Sequence, residues 1–238
     1  MTSLMARFNA FYRSATLGGV TFLGSTGDSG TANPDVNNNV YPFPTVNFPA
    51  ISPWVTAVGG TSLRLSTTGR YESESVWNDG AGSATGGGVS QHTPEPAYQR
   101  SLPRVDQTLL AGHRAIPDLS FNADPDTGVL VHVGFLGGAS NGYYIFGGTS
   151  EGSPAWAGIV ADLDQRAGYP LGFLNPALYA LGAANLLYPE VLRDVTVGNN
   201  AQPPIPGYAA GVGWDAATGW GTPHLSALAG VLLQHARH

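Results

Sequence analysis

A serine set between a Gly-Gly turn and a nearby proline can use the start of a helix. The stretch Gly147-Gly148-Thr149-Ser150-Glu151-Gly152-Ser153-Pro154 offers that arrangement. Backbone N–H groups at a helix N-terminus lack intrahelical partners and carry the positive end of the dipole. They stabilise negative charge of the kind that develops on an attacked carbonyl, so the Ser150 N–H could form part of an oxyanion hole beside a nucleophilic hydroxyl. The plainer alternative is that Ser150 and Ser153 only cap the helix. A second candidate is Asp28, in the turn Ser25-Thr26-Gly27-Asp28-Ser29-Gly30. A protonated carboxyl donates a hydrogen bond to an oxyanion, whereas an ionised one repels it. Taken alone, Asp28 is equally a turn residue.

The elements that must position these residues follow a helix–strand alternation. Leu4, Met5, Phe8, Phe11 and Tyr12 recur at helical spacing and predict a helix over Ser3 to Ala15. Gly18-Gly19 ends it, and Val20 to Leu23 form a short apolar strand that runs into the Asp28 turn. Trp54 to Val58 and Leu63 to Leu65 are further strands, on either side of Gly59-Gly60-Thr61-Ser62. Val129 to Val133 and Tyr143 to Phe146 are strands around a turn at Gly137-Gly138. Ser153 to Arg166 is an apolar helix with Pro154 in its first turn, Asn175 to Leu181 is a second, and Pro223 to His235 is a last. The pattern is α/β with a mainly parallel sheet, in one domain over residues 1–238. A chain that opens on the helix of such a unit lacks the preceding strand, which predicts poor stability or association of the chain alone.

Composition limits the partners. The chain has 238 residues, 42% of them hydrophobic and only 11% charged, with 33 Gly and 18 Pro, which suits an ordered, loop-rich fold. A net charge of −6 without a basic cluster argues against nucleic acid, and no apolar run is long enough for a membrane span. There is no cysteine, so disulfides and thiolate metal sites are excluded. Met1 to Ala10 is amphipathic and is not a signal peptide.

The string G-T-S-x-x-x-P-x-x-A-G around Ser150 resembles the nucleophile segment of the subtilisin superfamily. Within it, Gly27-Asp28-Ser29-Gly30 looks like the S-G-D-S-G loop of the sedolisins, with Thr26 where a serine is expected. Phe48 to Thr61, Val76-Trp77-Asn78, Gly86-Gly87-Gly88-Val89-Ser90 and Pro117-Asp118-Leu119-Ser120 leading to Ala123-Asp124-Pro125 also resemble sedolisin segments. The resemblance covers nearly the whole chain. It implies a subtilisin-like three-layer α/β fold without its N-terminal strands, and an acid-active serine endopeptidase. Ser150 would be the nucleophile and Asp28 the oxyanion acid. The resemblance also implies one Ca²⁺, bound by the carboxylates of Asp194 and Asp215 and by backbone carbonyls of Val195, Gly211 and Gly213. Read without it, these are a Gly-rich turn and a surface Asp. It further implies a polypeptide substrate, an extracellular location and a pro-segment or other N-terminal segment as partner.

One part of the expected machinery is missing. Sedolisins use a Glu as base and an Asp that orients it, in an E-x-x-x-D pair upstream of the Asp28 loop. The only such spacing here is Glu190 to Asp194, which lies after the serine and reads as coincidence. His92, His113, His132, His224, His235 and His238 are available, but none has the His-Gly context of a subtilisin base. The sequence therefore presents a nucleophile, an oxyanion acid and an ion site without the base. A calcium-stabilised, non-catalytic interaction module stands as the alternative.

Overall fold

The computed structural model describes residues 2–80 and 82–235. Its first helix, α1 (Ser3–Leu17), follows the predicted apolar spacing and is capped by Thr2, whose Oγ1 accepts from the Met5 N–H at 3.2 Å. The chain then enters β1 (Leu23–Ser25), two to three residues later than the sequence suggests. The two short strands expected around Gly59-Gly60-Thr61-Ser62 are one ten-residue strand, β2 (Thr56–Leu65). The glycines do not interrupt it. They let neighbours press against it: a Cβ at Gly60 would come within 2.6 Å of Ala123 Cβ and 3.1 Å of the Trp77 ring.

Strand β2 organises the central sheet. It pairs in parallel with β1 through Thr56 to Val58, and in parallel with β6 (Leu119–Asn122) through Val58 to Thr61. Its second half pairs antiparallel with β3 (Tyr71–Val76). The four-stranded sheet is thus mainly parallel, as expected, and among the described residues β1 is paired on one edge only.

Two smaller ladders flank the sheet, β4 (Gly88–Pro94) with β5 (His113–Ile116), and β7 (Val129–Val133) with β8 (Gly142–Phe146). A short helix α2 (Arg104–Leu110) precedes β5. The C-terminal part holds α3 (Thr149–Ala167), α4 (Asn175–Gly182), α5 (Tyr188–Val191), β9 (Leu192–Arg193), β10 (Thr222–Pro223) and α6 (Leu225–His235).

Successive residues of β2 face opposite layers. Val58 joins the main core with Trp156, Val160 and Leu163 of α3, Leu178 of α4 and Leu228 of α6. Ala57 joins a second cluster with Ala50, Ile51 and Ile116, against which Met5 of α1 packs. Helices therefore lie on both sides of the sheet, giving the three layers expected. No described helix is long and apolar enough to cross a membrane.

The helix carrying Ser150 begins at Thr149, four residues earlier than predicted. Pro154 consequently lies inside the helix and not in its opening turn. Having no N–H, it leaves the Ser150 carbonyl without the usual i+4 donor. The last helix starts at Leu225 because Thr222 and Pro223 pair with Arg193 and Leu192.

Candidate active site

Asp28 and Ser150, 122 positions apart in sequence, meet where the loop after β1 touches the start of α3. The Thr149 N–H and the Thr149 hydroxyl both donate to Asp28 Oδ1, each at 2.7 Å. The same hydroxyl accepts from the Gly27 N–H at 3.0 Å, and the Thr149 carbonyl accepts from Ser25 Oγ at 2.9 Å. Thr149 is fully buried, so this one residue clamps the loop to the helix and leaves its neighbour Ser150 exposed. Gly148 makes the approach possible. Its φ is +87°, and a Cβ there would lie 2.7 Å from Asp28 Oδ2. The Gly86 N–H supports the loop from the other side by donating to the Gly27 carbonyl at 2.7 Å, so the triple-glycine segment is a close-approach loop.

The geometry can stabilise an oxyanion. Ser150 lies in the first turn of a nineteen-residue helix, where its N–H has no intrahelical acceptor. Asp28 is exposed beside it, with Oδ1 committed to Thr149. Among the described residues, no carboxylate or imidazole hydrogen-bonds to the Ser150 hydroxyl. His132 packs its ring against Tyr143, with centroids 4.9 Å apart, and His238 and the His235 side chain lie outside the described residues.

The neighbour on the other side of Ser150 was not flagged by its residue type or motif. Glu151 is half-buried, and both its carboxylate oxygens are shut off from water without a hydrogen-bond partner. Burial pushes its carboxyl up to about 7, and the nearby Val129 N–H offsets this only in part, without reaching hydrogen-bond geometry. The available signal was an acidic side chain directly after the serine, in a helix turn packed below an apolar hairpin.

The five residues considered for a metal are gathered by the loop before Asp215. The Gly211 N–H donates to Asp215 Oδ2 at 3.0 Å, and the Gly213 N–H to Asp194 Oδ2 at 2.9 Å. Val195 is buried next to Asp194, and its carbonyl lies 3.5 Å from the Thr218 hydroxyl. Burial raises the Asp215 carboxyl to about 6, against hydrogen bonds from Gly211, Thr218 and Ala217. Burial also raises Asp194, whose Oδ1 has no partner. Two desolvated carboxylates, one with an orphaned oxygen, beside several carbonyls form an oxygen-donor set that fits Ca²⁺. Among the described residues there is no group of three or more His, Cys, Asp or Glu placed for a metal, so carbonyls would have to supply the rest. The Glu190–Asp194 spacing is not a helical pair, since α5 ends at Val191 and Asp194 turns toward Gly213.

Known proteins share this arrangement of sequence. Kumamolisin from Bacillus sp. (strain MN-32) is 41% identical over 227 residues, which cover 93% of this chain and 38% of kumamolisin. Sedolisin from Pseudomonas sp. (strain 101) is 37% identical over 226 residues, 91% of this chain and 35% of that protein. A solved structure of Pseudomonas sedolisin, a serine-carboxyl proteinase complexed with pseudo-iodotyrostatin, superimposes with a TM-score of 0.82. That match is at 34% identity and covers 96% of this chain.

The chain belongs to the sedolisin family.

Human tripeptidyl-peptidase 1 is a further relative, 33% identical over 254 residues. The chain spans only about two fifths of these curated sedolisin-family relatives, 35% to 40% of their lengths, and 60% of the solved sedolisin chain. No family model matches the sequence. The fold is subtilisin-like, in agreement with the expectation from the motifs.

Proposed function

We propose that this chain carries the serine half of an acid-active endopeptidase site of the sedolisin type. Ser150 Oγ attacks the scissile carbonyl carbon, and the hydroxyl proton passes to a carboxylate base supplied by residues outside this chain. The Ser150 N–H and the protonated Asp28 carboxyl, through Oδ2, hold the resulting oxyanion. The leaving amine then takes the proton, and water releases the acyl group. The observation that carries this reading is the Thr149 clamp. It fixes the acid and the serine side by side through two 2.7 Å hydrogen bonds, with both left exposed to a substrate.

In this reading Asp194 and Asp215, with carbonyls of Val195, Gly211 and Gly213, hold one Ca²⁺. The ion offsets the cost of burying the two carboxylates and steadies the loop before Asp215. The protein acts on polypeptides outside the cell, and an N-terminal or pro-segment completes it.

The test is complementation. The 238-residue chain alone on denatured protein at about pH 4, where carboxyls are substantially protonated, should show no cleavage. Adding a segment that carries the E-x-x-x-D acid pair of the sedolisin pattern should restore cleavage, and Ser150→Ala should abolish it. A folded complex that stays inactive would favour the alternative, a calcium-stabilised interaction module.

A further inference from the structure

A cleft of about 760 Å³ opens at the end of the sheet remote from Ser150. Thr149 packs against Gly60 of β2, whereas Trp54 in the cleft wall precedes the start of that strand at Thr56, and Thr56 and Gly60 are themselves about 13 Å apart at about 3.3 Å per residue. Together with four prolines, Trp54, Tyr98, Phe173 and Tyr179 line the cleft. Their rings touch in series, with centroids 5.3 Å apart for Trp54–Phe173, 5.7 Å for Tyr98–Phe173 and 4.9 Å for Tyr98–Tyr179.

The hydroxyls of the two tyrosines are held by the protein. The Tyr98 hydroxyl donates to the Pro53 carbonyl and accepts from Asn175, and the Tyr179 hydroxyl donates to Asp118 and accepts from Gln99. The Ser101 hydroxyl is spent on the Tyr98 carbonyl. The cleft therefore offers carbon, with one exception. Among the described residues, Glu95 is the only charged one lining it. The Glu95 backbone is fixed by a bond from its N–H to the Gly112 carbonyl, which holds the side chain at the cleft.

A carboxylate set in an apolar cleft attracts a cation, and so do aromatic faces. A ligand that satisfies both features has an apolar stem and a cationic head. The chain already shows the interaction on the same wall, where the Arg13 guanidinium lies 5.7 Å from the Trp54 ring centroid. We propose that this cleft is an exosite for the arginine or lysine side chain of a polypeptide substrate, with the charged head on Glu95 and the stem along the rings. That the polypeptide is a substrate rests on the peptidase reading, but the preference for a cation does not.

The test titrates the Ser150→Ala chain, so that binding alone is read, with Nα-acetylarginine amide and with its uncharged analogue Nα-acetylcitrulline amide, by calorimetry. The expected result is arginine binding about tenfold tighter, a preference lost in Glu95→Gln, with both ligands weakened in Trp54→Ala. Equal affinities, no binding of either, or a preference that survives Glu95→Gln would overturn the proposal. The comparison within the Ser150→Ala chain needs no further variant, so misfolding of Glu95→Gln cannot mask the outcome. Failure of the complementation assay would leave it standing.

Discussion

Two acidic centres in this molecule solve opposite problems. Asp118 is completely buried and receives five hydrogen bonds: two from Arg114, one from the Ala57 N–H, one from Asn175 and one from Tyr179. Its counter-charge is covalently part of the chain, with the Arg114 guanidinium 2.7 Å away and just as buried. Asp194 and Asp215 are also drawn out of water, but among the described residues no arginine is paired with them. Backbone N–H groups serve them instead, and Asp194 Oδ1 is left over. The first centre is finished by the sequence, and the second keeps an unpartnered carboxylate oxygen that the proposed Ca²⁺ would satisfy.

That contrast can be broken from either side. Arg114→Met should have the largest effect, because it strands a buried carboxylate: a loss of about 3–5 kcal/mol in urea unfolding. The double change Arg114→Met with Asp118→Asn should recover part of it. If the single change costs less than about 1 kcal/mol, the network is not the structural lock described here. At the other centre, Ca²⁺ at about a hundred times its Kd should add about 2.7 kcal/mol and raise the Tm by several degrees. Asp215→Asn should remove that response. A Tm indifferent to Ca²⁺ and EDTA would sink the calcium proposal.

Glu151 is a smaller case of burial without a partner. Its folded carboxyl, at about 7, lies above the ordinary 4.5. Its protonated form therefore contributes stability that is complete below about pH 4.5 and lost as the pH rises through about 7. Solvent screening holds the effect to about 1 kcal/mol. Glu151→Gln should flatten stability over that window, as read by urea midpoints at pH 5 and pH 8. The smallest effect should come from Asp162→Asn. This breaks the exposed 3.0 Å pair with Arg166, and double-mutant cycles should give about 0.5 kcal/mol or less.

The candidate nucleophile and oxyanion acid were legible because local chemistry marks them: a serine before a helix and an aspartate in a tight turn, each inside a specific string. The helix pattern of α1 was readable from five apolar residues. The start of α3 was not, because Pro154 suggests a first turn, and only the tertiary bond from Thr149 to Asp28 brings the helix back to Thr149. The continuity of β2 was hidden by Gly59 and Gly60, which read as a break until the atoms that need their missing side chains are in place. The Asp118 network was invisible for a similar reason. The motif Pro117-Asp118-Leu119-Ser120 was seen, but Arg114, Asn175 and Tyr179 converge on it only through the fold. The aromatic cleft draws on three separate stretches of chain, around Trp54, Tyr98 and Pro176, none of them distinctive alone.

The β7–β8 hairpin, which leads straight into Thr149 and Ser150, has a consequence for the protein in solution. From Gly128 to Gly147 it contains no Lys, Arg, Asp or Glu. Leu130, Phe135, Tyr143 and Ile145 each expose more than half of their surface, at 65%, 86%, 69% and 62%. Both edges of this two-stranded ribbon are open to pairing among the described residues. Natural edge strands are guarded by charges that repel a second copy, and this one has none. Solubility should therefore fall steeply with protein concentration and change little with salt, with self-association beginning a few residues from the nucleophile. A single Tyr143→Lys change, on the exposed side of β8, should restore dispersion without touching the clamp that holds Asp28 to the helix.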